Sequence, residues 1–296
     1  MTQQLEYEAI SQHRSRAAGI ALLIAASALW SVSGVAVKVV RIDPIAFAFW
    51  RSAGAAAAML LVLPLGSGRM PRWNWMLGSV LLYTAVVTLL ITAMTRSTAA
   101  AGILLQYTGP LFCALFAWML LGHRISGRTM LALVIGVGGI GIMVAGGEFN
   151  ALVLVVGILS GVAFGGLILV LQRIESSGGI NTFGVIFLNN LGCTILLLPV
   201  CWKLGILRIE TWKLLAVLAT GAVQLALPYV LFQFGLRRVG PVEASLLILL
   251  EPVLNPIWVW LAVGERPDWA TFAGGAAILT AMALEATKPA RNVSEE

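Results

Sequence analysis

Glu251 carries the most chemical information in this sequence: it is a carboxylate in the middle of a long apolar run, followed at once by Pro252. If the run is a helix starting at Pro241, Glu251 lies roughly 15 Å into it, near the centre of a bilayer. An ionised carboxylate there is costly unless it faces a wet cavity, meets a partner or carries a proton. Glu251, Asn255 and Trp258 share one helix face through i, i+4, i+7 spacing. In an earlier apolar run, Gln106, Gly109 and Cys113 form an equivalent stripe, with Tyr107 beside it. Such convergent polar positions would line a pathway for a small solute, with Glu251 a candidate proton carrier. Alternatively, a protonated Glu251 would bond to the carbonyl that Pro252 frees in the preceding turn.

Two cations join this set. Lys38 ends the first apolar run and Arg51 lies about 10 Å into the second from the same side. Together they would make a basic outer vestibule for a substrate carboxylate. Lys38 could equally snorkel to the headgroups, and Arg51 could pair with a buried carboxylate or carbonyl. Asn189, Tyr229 and Gln233 supply further amide and aromatic pocket walls, and Trp30 is counted with them. The stripes Ser27, Ser31, Gly34, Lys38 and Thr84, Thr88, Thr92, Thr95 could line a wet path, although hydroxyl and small residues more often glue membrane helices together. Gly157, Gly161 and Gly165 read as a close-packing seam.

Other chemistries lack their residues. Gly136 to Gly141 satisfies G-x-G-x-x-G, but it sits inside an apolar helix rather than between a strand and a helix, so no dinucleotide site is expected. There is no phosphate-binding P-loop, and the only histidines, His13 and His123, are far apart, which removes metal-site and histidine-based hydrolase readings. Cys113, Cys193 and Cys201 fit neither a disulfide framework nor a zinc motif. No cofactor is implied.

The elements that must position these residues are membrane helices. Of the 296 residues, 59% are hydrophobic and 11% charged, against about 25% charged in a soluble domain. Apolar runs predict ten spans: Ala17 to Val39, Pro44 to Leu63, Trp73 to Thr95, Thr98 to Leu121, Thr129 to Ala145, Leu152 to Gln172, Thr182 to Trp202, Trp212 to Leu236, Pro241 to Val263 and Trp269 to Ala286. The runs are continuous, so the alternating pattern of an outer-membrane barrel is absent.

A cytoplasmic N-terminus puts Arg14, Arg16, Arg69, Arg72, Arg124 and Arg128 inside in the first half, against Arg41 and Arg96 outside. In the second half Arg173, Arg237, Arg238, Lys288 and Arg291 oppose Lys203, Arg208, Lys213 and Arg266, a weaker bias. Both termini are therefore expected in the cytoplasm. The membrane is expected to be the plasma membrane, the inner one in a Gram-negative bacterium.

The chain also repeats. An offset of 142 lays Leu89 on Leu231, Pro110 on Pro252, Trp118 on Trp260 and Gly122 on Gly264 without a gap. Five helices per half is an odd number, so the second half must enter from the opposite side, as in inverted-repeat secondary transporters. The expected division is 1–16 N-terminal tail, 17–147 first repeat, 148–287 second repeat and 288–296 C-terminal tail.

Trp30 and Lys38, Arg51, Pro110, Glu251-Pro252-Val253 and Gly264-Glu265-Arg266 together resemble the drug/metabolite transporter superfamily, and within it the ten-helix EamA-like exporters. The resemblance spans nearly the whole chain. It implies an all-α bundle of two inverted five-helix repeats that exports small metabolites, often amino acids, by alternating access. The sequence departs from the family at Gly122-His123-Arg124, where a glutamate is usual, and in having no second-half counterpart of Arg51.

The expected function is therefore secondary export of amino acids or related amphipathic compounds. An uncoupled facilitator and a membrane-embedded lipid-modifying enzyme remain as alternatives. The partners expected are a small-molecule substrate, membrane lipid and, if Glu251 is a carrier, protons; no nucleic acid is expected, and a monomer should suffice.

Overall fold

The computed structural model describes residues 2–122, 126–146, 151–239 and 241–287. His123 and Arg124 and the C-terminal residues from Lys288 onward lie outside them. Within the described residues there is no strand; helices follow one another through short loops. The first span is α1 (Thr2–Ser31) and α2 (Ser33–Val40), the second α3 (Pro44–Val62) and the third α4 (Trp73–Arg96). The fourth is α5 (Ala99–Gln106) with α6 (Gly109–Leu121), and the fifth is α7 (Gly127–Gly146). Spans six and seven are α8 (Ala151–Glu175) and α9 (Thr182–Leu204). The eighth joins α10 (Thr211–Ala219) to α11 (Leu227–Leu236) through a π-helical turn at Thr220–Ala226. The ninth is α12 (Pro241–Ile248) with α13 (Leu250–Val263), and the tenth is α14 (Trp269–Ala286). Among the described residues nine segments are long and apolar enough to cross a bilayer, and the last, Trp269–Leu284, is shorter.

Two features depart from the sequence expectation. The first helix starts at Thr2 rather than Ala17, because good helix formers precede the apolar run and no proline interrupts it. Spans one, four and nine are broken rather than continuous.

Helix ends follow local chemistry. Asp43 caps span two by accepting from the Ile45 and Ala46 amides, Thr98 caps span four through Ala101, and Asn181 caps span seven through Gly184. Gly122 and Gly264, paired by the repeat, end spans four and nine in the left-handed conformation, at φ 69° and 74°. Only glycine adopts that conformation without strain, which explains why the pair recurs.

The packing repeats too. Span three lies on six as eight lies on one, and four lies on six as nine lies on one. Spans two and seven pack on each other, as do five and ten. The glycines at 157, 161 and 165 face span four, where a side chain on Gly165 would strike the Gly109 carbonyl. The G-x-G-x-x-G run also packs: Gly139 faces the Gly274 backbone between spans five and ten.

Candidate functional site

The chemistry gathers where two helices break at equivalent places. The offset of 142 sets Tyr107, between α5 and α6, on Leu249, between α12 and α13. Pro110 and Pro252 cause the breaks, since neither has an N–H for the carbonyl four residues back, Gln106 or Ile248. The freed Ile248 carbonyl accepts from Ser27 Oγ at 3.1 Å and from the Tyr107 hydroxyl at 3.5 Å. The same tyrosine hydroxyl donates to Glu251 Oε2 at 2.8 Å. One residue from each half thus meets at mid-span. Hydroxyls of Ser27 and Tyr107 occupy the carbonyl that a protonated Glu251 would use in the alternative reading.

Asn255 and Gln106 have other duties. Asn255 is fully buried, and its amide donates to the Ser31 carbonyl at 2.9 Å and to Ser33 Oγ at 3.2 Å, across the break at Val32. Ser27 returns the favour on span nine by also donating to the Leu247 carbonyl, and Trp258 Nε1 donates to Ser31 Oγ. Ser27, Ser31 and Gly34 of that stripe therefore lie in the seam between spans one and nine, while Lys38 at its end lines the distal cavity described below. Gln106 accepts from Ser160 Oγ at 3.3 Å. Thr84, Thr92 and Thr95 donate to carbonyls of their own helix, and Thr95 also borders the distal cavity described below. Replacing Asn255 by leucine leaves the Ser31 carbonyl without its donor, and a loss of about 1–3 kcal/mol is expected. Thermal melting of the detergent-solubilised protein checks it.

Among spans three, six, seven and eight lies a cavity of about 160 Å³. Tyr83, Asn189, Asn190, Tyr229 and Gln233 give it polar groups, and Leu167, Leu171, Ile186 and Phe232 an apolar wall. It reaches the surface at Glu175, Ile180 and Thr182, at the end of the bundle where span one begins, here called the proximal end. Of the residues singled out in the sequence, Asn189, Tyr229 and Gln233 line it; Glu251, Tyr107, Asn255, Gln106, Lys38 and Arg51 do not. Trp30 backs the wall, edge-on to Tyr229 at 5.1 Å and tilted against Phe232 at 5.8 Å. Tyr83 was missed by sequence reading because a lone tyrosine in an apolar run gives no periodic signal; its hydroxyl donates to Asn190 Oδ1 at 2.8 Å.

The two cations part company. Lys38 neither snorkels nor joins Arg51. Its Nζ lies 2.6 Å from Glu265 and donates to the Ser97 carbonyl at 2.5 Å. Glu265 also accepts from the Ala99 amide at 2.7 Å, the first N–H of span four. Four helix ends are thus tied together at the distal end, beneath a second cavity lined by Val37, Lys38, Arg41, Ile42, Thr95, Val263 and Glu265. Arg51 lies deeper and is 5% exposed, near Tyr83, Tyr229 and Glu251. Span eight comes close here: a side chain on Gly221 in the π turn would strike the Arg51 carbonyl. Such turns cluster at functional sites. Among the described residues no cluster of ligating side chains could hold a metal.

Comparison with known proteins gives these features a context. The EamA-like transporter family matches twice, over residues 17–145 and 151–286. A transporter of Archaeoglobus fulgidus, itself uncharacterized, is 27% identical over 267 residues, covering 90% of this chain and 95% of that protein. The pseudopaline exporter CntI of Pseudomonas aeruginosa is 29% identical over 194 residues, covering 62% of this chain and 65% of its own length. A solved crystal structure superposes with a TM-score of 0.62 at 18% identity, covering 91% of this chain and 96% of that one, which supports the fold alone.

Proposed function

The chain belongs to the EamA-like transporter family, and on that premise we propose that it exports small amphipathic metabolites, amino acids or related compounds, by alternating access between its two halves. The observation that carries this is a pair of separate cavities: one of about 160 Å³ reaches the proximal surface, and one of about 440 Å³ at the distal end is lined by the Lys38–Glu265 ion pair, which we read as the distal closure between them. That is one of the two states an alternating carrier must visit. The positive-inside bias supports a cytoplasmic proximal end, and in that orientation the proximal opening is the loading side of an exporter. Apart from Glu175 and Thr182 at the mouth, the cavity carries a few amide and phenol groups on an apolar wall, which suits a solute with one polar end and one apolar end. The name of the Pseudomonas relative, an exporter, favours the same direction.

In this reading residues 17–147 and 148–287 are the two moving repeats, and 1–16 and 288–296 are cytoplasmic tails of a plasma-membrane protein that works as a monomer. Counterflow in proteoliposomes with a panel of amino acids tests it; a chain that exchanges no amphipathic solute is not this exporter. The topology makes a separate prediction. Cysteines placed at Ser11 and Ser294 in a background lacking the native three should resist an impermeant maleimide in intact cells and react after permeabilisation. Labelling of either from outside would sink the assignment.

A further inference from the structure

The cost of Arg51 is unexplained by anything described so far. It is a guanidinium at 5% exposure in the middle of a membrane bundle, and its Nε is buried with no hydrogen-bond partner. None of the ion pairs among the described residues involves it, although three other pairs form. A buried charge without a partner is destabilising, and arginine cannot discard its proton to escape the penalty. Glu251, the acidic residue in electrostatic reach, makes its hydrogen bond to Tyr107 and no ion pair with Arg51. Arg51 lies within electrostatic reach of Tyr83 and Tyr229, which line the proximal cavity, although it does not line that cavity itself. The backbone beside it is close-packed against span eight: a side chain on Gly221 would strike the Arg51 carbonyl, and one on Gly54 would strike the Leu218 backbone.

We propose that Arg51 is the carboxylate subsite of the transport pathway: cargo enters from the proximal end, passes Tyr83 and Tyr229, and places a carboxylate on the guanidinium fork. This deepens the transporter reading and rests on it. The planar guanidinium pairs two-pronged with a carboxylate, which a lysine ammonium cannot imitate. The apolar remainder of the cargo then lies against Leu167, Leu171, Ile186 and Phe232. The cargo is thus an organic acid with an aliphatic or aromatic body, and the orphaned cation makes rejection of analogues lacking the carboxylate strong. Neither Gln233 nor Asn189 could supply that discrimination, since neutral amides bond acids and amides alike.

Two measurements test this. The first is proteoliposome counterflow with leucine and phenylalanine beside leucinamide and phenylalaninamide. The wild type should exchange the acids and not the amides. Arg51→Lys should raise the half-saturating acid concentration roughly tenfold, since charge remains but the fork is lost. Arg51→Gln should exchange acid and amide equally or neither. The second is melting temperature without cargo: Arg51→Met should be unchanged or higher, because it removes an uncompensated charge. A structural Arg51 predicts a lower melting temperature for Arg51→Met, and that result would overturn the subsite. Equal exchange of acid and amide by the wild type would also overturn it while leaving the transporter reading intact. Exchange of none of the four compounds by the wild type would remove both.

Discussion

Replacing Glu251 by glutamine is expected to abolish the dependence of export on a pH gradient while leaving exchange of cargo across the membrane intact. The expectation follows from placement. No other acidic residue of the sequence falls in the middle of a span, and Glu251 sits at the paired helix breaks, where the proposed alternating access would move the two halves against each other. Its carboxyl touches Tyr107 of the opposite half, so gain or loss of its proton changes a bond between the halves. Ionised, the carboxylate accepts a charge-assisted bond from the tyrosine hydroxyl; protonated, it keeps only a weaker neutral one. A glutamine keeps a carbonyl for Tyr107 but cannot cycle between charges. The coupled reaction should therefore stop while the uncoupled one continues. Tyr107→Phe should loosen the coupling without ending it. Proton flux on adding cargo to proteoliposomes decides the matter: a wild type that moves cargo without protons is a facilitator, and a glutamine variant that remains gradient-driven makes Glu251 structural.

The parts of this arrangement legible in the sequence are those that obey a period. Ten apolar runs, the offset of 142 and the glycine pair Gly122 and Gly264 all repeat, and repetition survives without coordinates. Mid-span position was equally legible for Glu251, because the bilayer supplies a ruler. Partnership was not. Lys38 and Arg51 looked alike from spacing, yet Lys38 meets Glu265 from a segment 227 residues on, while Arg51 has no ion-pair partner among the described residues. Asn255 seemed a pathway residue by its helix face, but a broken helix needs its carbonyls satisfied, and Val32 breaks span one just where Asn255 faces it. That break has no proline or glycine cluster to announce it. The π turn at Thr220–Ala226 ends just before Pro228, yet a proline alone does not say whether a helix will kink, break or widen. The cavity itself depends on which tyrosines and asparagines from spans three, seven and eight come together, a tertiary fact.

Breaking the distal tie should have the second large effect. Lys38→Met or Glu265→Gln is expected to raise access to the pathway from the distal side about tenfold or more. The Lys38 and Glu265 side chains are only about one-fifth exposed, at 18% and 20%, so their attraction is less screened than that of a surface pair. Exposed pairs are worth about 0–1 kcal/mol and removal of one partner of a fully buried pair costs about 3–5 kcal/mol, so a value between them is expected here. About 1.4 kcal/mol already shifts the balance of two states tenfold. The readout is a single cysteine at Leu167, on the apolar wall of the proximal cavity, in a background without the native cysteines. In the parent it should react with an impermeant maleimide from the proximal side only; in the variants it should react from both. Glu265→Gln should act more strongly than Lys38→Met, because the same carboxylate also accepts the Ala99 amide at the positive end of span four. For that reason the exchanged pair Lys38→Glu with Glu265→Lys should restore closure only in part: the attraction returns, but a cation now faces a helix N-terminus and the amide loses its acceptor. Full restoration would mean that charge attraction alone shuts this end, and unchanged distal labelling in both single variants would mean that the tie is not the gate.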